Sequence, residues 1–129
     1  MAYVPTSEGE HGRAEELQWA RVVGHDDAAR GVTLIFIQKL CTAFHEFEPA
    51  WRPGALNLTA LEHYRARLSS RARPVLAVLD ANGLGEIDGV PQLRSLIEAI
   101  EAATSMDMLA ALAEPVHGIS HTLTDALEG

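Results

Sequence analysis

The sequence predicts an α/β fold in a single domain, and three observations carry that prediction. Residues 32–37 read V-T-L-I-F-I, almost wholly β-branched or aromatic, which is the composition of a buried strand. Residues 75–79 read V-L-A-V-L with no polar side chain, as parallel strands covered on both faces do. From Val32 onward the order is strand, helix, strand, helix, a candidate strand and a last helix. Such alternation builds a sheet with helices packed on it. The alternative is an all-α helical bundle, in which one long helix over residues 26–47 absorbs the first apolar run.

The elements follow in order. Residues 1–15 are polar and glycine-containing and read as a flexible N-terminal arm, leaving residues 16–129 as the domain. Leu17, Trp19, Arg21 and Val23 alternate with a period of two, a strand signal. Gly24 and Gly31 bracket a turn-rich stretch that suits a hairpin connection to the 32–37 strand. Residues 38–48 suit a helix, and the P-A-W-R-P-G stretch breaks it. Thr59 and Glu62 form a capping box, so a helix starts near Ala60 with Leu61, Tyr64 and Leu68 on one face. Pro74 disfavours helical geometry at Arg73 and ends that helix in this reading.

The strand at 75–79 then runs into D-A-N-G-L-G-E-I-D-G. Pro91 suits the first turn of the next helix. Leu93, Leu96, Ile97 and Ile100 form an apolar stripe there, with Arg94, Glu98 and Glu101 facing away. Residues 106–113, M-D-M-L-A-A-L-A, suit a strand or a helix equally on propensity. In the final segment Val116, Ile119, Leu123 and Leu127 make a helical stripe.

Bulk composition narrows the function classes. The 129 residues suit one domain with an ordinary core, and 47% apolar with 22% charged residues is a globular balance. A net charge of −8 opposes non-specific binding to nucleic acid or anionic membrane. Arg65, Arg67, Arg71 and Arg73 are the local exception, a basic stretch that suits an anionic ligand or a solvated helix end. Cys41 stands alone, so no intramolecular disulfide can form and a reducing compartment fits. The first residues lack a secretory pattern and no apolar run reaches the ~18 residues of a membrane span. A cytoplasmic location with no integral membrane segment is expected.

Several constellations bear on chemistry. A calcium loop starting at Asp80 would place Asn82, Gly85 and Asp88 suitably, but Leu84 and Pro91 fall where oxygen ligands are required. His117 and His121 are four apart, as are Cys41 and His45. On helices each pair shares a face, which makes these four residues metal candidates, with solvated histidines as the simpler reading. His11, His25 and His63 have no evident partner. Gly83 and Gly85 give only a fragment of a dinucleotide loop, and no nucleophile elbow, phosphate loop or H-E-x-x-H motif is present. No cofactor and no enzymatic activity are expected.

An apolar run ending in Asp80, then Leu84, then the Ile87–Asp88 pair and an amphipathic helix, resembles the STAS family, the domain of anti-sigma-factor antagonists and of sulfate-transporter tails. The resemblance implies a mixed sheet of four to five strands with helices packed on it. It also implies a regulatory or scaffold module that binds a protein partner, and possible self-association, through the loop of Asp80, Asn82, Leu84, Asp88, Gly89, Val90 and Gln92. In phosphorylated members a Ser or Thr follows the aspartate. Here Gly89 and Val90 follow Asp88, so the implied module lacks the phospho-switch.

Overall fold

The computed structural model describes Thr6, Glu15, Glu16, residues 28–47 and residues 58–128. Along these residues burial repeats every three to four positions, never every two. In the 32–37 run, Val32, Thr33, Phe36 and Ile37 are buried while Leu34 and Ile35 are only partly so. A strand would have buried alternate residues; this spacing belongs to one face of a helix. The run lies inside α1 (Ala28–Phe47), whose stripe continues through Leu40, Ala43 and Phe44. Thr33, although buried, donates its hydroxyl to the Ala29 carbonyl at 2.6 Å and so leaves no unpaired donor.

The same period corrects the second predicted strand. In residues 75–79, Val75, Val78 and Leu79 are fully buried and Leu76 and Ala77 are not. They belong to α2 (Leu58–Ala81), which runs straight through Pro74. A proline in a helix interior costs about 3 kcal/mol relative to alanine. Full burial of a Val or Leu side chain contributes about 1.5–3 kcal/mol. Leu68, Val75, Val78 and Leu79 are all fully buried around the proline, so packing outweighs the local penalty.

The loop after α2 is a helix stop. Gly83 takes φ 76°, and the Leu84 N–H reaches back to the Leu79 carbonyl at 2.8 Å. This is the Schellman closure, which favours glycine at the left-handed position. The Asn82 side chain adds a bond to the Val78 carbonyl at 2.9 Å, and Leu84 folds back onto the core. Chain direction then reverses into α3 (Val90–Ala102), short α4 (Met106–Ala110) and α5 (Ala113–Glu128). The Ser105 side chain caps α4 by accepting from the Met108 N–H, so the ambiguous 106–113 stretch is helical at its start.

Cross-helix contacts give the arrangement. Arg65 reaches Ala103, Arg73 reaches Glu101 and Arg94 reaches Asp80, which sets α2 antiparallel to α3. Arg30 reaches Leu127 and Cys41 reaches Ser120, which sets α1 antiparallel to α5. α1 packs on α2 and α5, and α3 packs on the same two helices. The result is an up-down-up-down four-helix arrangement around one apolar core, built as such bundles are.

The α/β expectation is therefore corrected to all-α: no described residue forms a strand, and a STAS domain requires a mixed sheet. The resemblance rested on two apolar runs that pack as helix faces. The predicted strand at residues 17–23, nearly all of the 1–15 arm and the W-R-P-G stretch lie outside the described residues. None of the described helices is long and apolar enough to cross a membrane.

Candidate functional site

The residues expected to form a partner loop divide by role. Asp80 ends up as an ion-pair partner of Arg94, at 2.8 Å. Asn82 and Leu84 complete the α2 stop, and Val90 is buried at the start of α3. Gly89 is buried with φ 97°, and a Cβ there would stand 3.0 Å from Leu123 and 3.2 Å from Thr122. Asp88 and Gln92 are exposed.

The metal candidates from α1 and α5 do approach one another. Cys41, His45 and His117 line a cavity of about 200 Å³ together with Phe44, Ala113 and Val116. The Cys41 Sγ is 3.0 Å from the Ser120 hydroxyl, which in turn donates to the Val116 carbonyl. His121 lies one turn beyond His117, with the two Nε2 atoms 3.2 Å apart and the rings edge to face. Among the described residues no group of three or more His, Cys, Asp or Glu side chains is placed to share one metal ion.

The larger concavity was not anticipated. It is an open groove of about 760 Å³ between α3 and α5, starting at Gly89 and Thr122 and running to Ala99 and Leu112. The reason it exists is side-chain size. α3 turns its large residues Leu93, Ile97 and Ile100 into the core and presents Ser95 and Ala99 to the groove, with Leu96 beneath. α5 buries Val116, Leu123 and Leu127 and presents Pro115, Gly118, Ile119 and Thr122. Ile119 was expected in the buried stripe; it is half-buried, at the groove wall. A Cβ at Gly118 would meet nothing within 4 Å.

Electrostatics differ sharply around the molecule. Three of the four arginines in the basic stretch of α2 are engaged within the chain: Arg65 with the Ala103 carbonyl, Arg67 with Glu46, and Arg73 with Glu101. Arg73 donates to both Glu101 oxygens and, with the Ser69 hydroxyl, holds that carboxyl below the usual glutamate range. Glu101 in turn raises the Arg73 guanidinium above its ordinary value. Around the groove the balance is acidic. Asp88, Glu98, Glu114 and Asp125 are exposed and have no ion-pair partner among the described residues. None of the four lines the groove itself: Asp88 and Glu114 precede the lining residues Gly89 and Pro115, Asp125 is three positions from Thr122, and Glu98 stands between Ser95 and the Arg94–Glu101 face.

Pro115 and Gly118, two poor helix formers within four residues of α5, were the sequence signal for this surface. No family model matches the chain, and no curated protein or solved structure matches it. What the site can do is therefore read from its own geometry.

Proposed function

We propose that this chain is a non-catalytic binding module that receives the apolar face of a basic amphipathic helix, supplied by a partner protein, in the α3–α5 groove. The observation that carries the reading is Gly118. Glycine in mid-helix costs about 1 kcal/mol relative to alanine, and no described residue comes within 4 Å of the position a Cβ would take. The gap serves a neighbour that approaches the helix backbone closely.

The groove's dimensions fit such a guest. It follows α3 from Gly89 to Ala99, about 15 Å at 1.5 Å per residue, or three turns of a partner helix. Leu96, Leu112 and Ile119 offer apolar contact, the usual currency of helix-in-groove recognition. The four acidic residues around it and the net charge of −8 select a basic guest and speed its encounter. The single cysteine and acidic balance suit a cytoplasmic setting for this role.

Fluorescence anisotropy with designed helical peptides tests the reading. One peptide carries leucines at i, i+3, i+4 and i+7 with lysines opposite; its twin carries glutamates instead. The lysine peptide should bind at least tenfold more tightly, about 1.4 kcal/mol. Gly118→Leu, whose Cβ would meet no described residue within 4 Å, should abolish binding while circular dichroism stays helical. Equal binding of the twins, or full binding to Gly118→Leu, overturns the proposal. A dimer that dissociates on that substitution would assign the groove to a second copy instead.

A further inference from the structure

We propose that His117 and His121, neither of which lines the groove, form a two-point chelate for a divalent transition-metal ion of the copper, nickel or zinc class. Both side chains are exposed on α5, one turn apart, so neither is held by the core. Their Nε2 atoms lie 3.2 Å apart. Two nitrogens bound to one ion at 2.0–2.1 Å with a near-tetrahedral angle stand about 3.3 Å apart. The pair is thus already at ligand spacing. The contact as it stands needs one ring to donate an N–H to the other; a metal ion replaces that single shared proton with two coordinate bonds.

The neighbourhood sets the class of ion. Imidazole nitrogens favour copper, nickel and zinc over magnesium or calcium, and the order of affinity among divalent ions peaks at copper. Glu114 precedes His117 by three residues and Asp125 follows His121 by four, so both carboxylates lie toward the same face and favour a cation there. No Lys or Arg occurs anywhere in α5 to oppose it. Two protein ligands leave the remaining positions to water, which makes the site open and exchangeable rather than a closed structural one. His45 lines the cavity shared with His117 but belongs to no three-ligand set; the chelate does not need it.

Isothermal titration of the full chain with copper, nickel and zinc chlorides at pH ~7.5 decides the matter. One equivalent should bind, copper most tightly. His117→Gln and His121→Gln should each weaken it at least tenfold, and His63→Gln on α2 should leave it unchanged. Binding should also fall as the solution is acidified, because protons compete for the same nitrogens. Absence of stoichiometric binding overturns the proposal, as does binding that survives either α5 substitution. Both substituted residues are exposed, so circular dichroism should show the bundle intact in every variant.

Discussion

Along the α2–α3 seam Arg73 grips Glu101 through both of its oxygens, Arg94 reaches Asp80, and Arg65 closes on the Ala103 carbonyl at the end of α3. Along the α3–α5 seam a Cβ at Gly89 would press on Leu123, and beyond that point small residues and an apolar floor leave an open groove. Both seams belong to the same thirteen-residue helix. On one face of α3, Arg94 and Glu101 are paired from within the chain; the other face lines the groove with the uncharged Gln92, Ser95 and Ala99. The difference supports the proposed binding surface: Arg65, Arg73 and Arg94 are already engaged on one side, whereas acids near the groove have no ion-pair partner among the described residues and suit a cationic guest.

The comparison breaks most severely at Gly89. Alanine there must hold a left-handed φ of 97° and push against Leu123 and Thr122. Backbone strain and crowding together should cost about 3 kcal/mol in urea denaturation. A change near zero would mean that the α3–α5 contact is looser than described. Gly118→Ala should act in the opposite direction. Its Cβ enters open space in mid-helix, so stability should rise by about 0.5–1 kcal/mol. Peptide binding should weaken at the same time, because the methyl intrudes on the groove.

The smallest effect lies in the matched seam. Glu101 has its carboxyl lowered by Arg73 and Ser69. A depressed carboxyl contributes stability above its unfolded titration range, and that contribution is lost as pH falls through the folded value. Glu101→Gln should therefore leave a slightly flatter acid limb in a stability-against-pH curve, with the difference shrinking at high salt. A variant whose acid limb steepens would contradict the bridge.

Much of the fold was legible where the apolar pattern was long. The α3 stripe of Leu93, Leu96, Ile97 and Ile100 is buried as its spacing required, with Arg94, Glu98 and Glu101 outside. The helix read as starting near Ala60 begins at Leu58, so Thr59 lies within it and is not its cap. The two supposed strands failed for a shared reason. A run of five or six apolar residues carries no period, so β-branched composition and Pro74 decided the reading locally. The bundle decided it otherwise, because each run is a segment of a longer stripe: Val32, Phe36 and Leu40 in α1, and Leu68, Ala72, Val75 and Leu79 in α2. Even the D-A-N-G-L stretch was a helix stop, with Gly83 and Leu84 in their Schellman places.

The site was less legible. Within each pair, the spacing of Cys41 with His45 and of His117 with His121 was plain, but their approach depends on α1 packing on α5. The groove combines residues from two helices, Pro115 and Gly118 among them. Their meaning depends on what lies opposite, which no local pattern contains.

The most direct measurement is a nuclear magnetic resonance titration of the isotope-labelled chain with the lysine-faced peptide. Amide shifts should concentrate in residues 89–99 and 112–122 and leave the Arg73–Glu101 seam unmoved. Shifts centred on α2, or spread evenly over the bundle, would contradict the assignment of the α3–α5 groove as the binding surface.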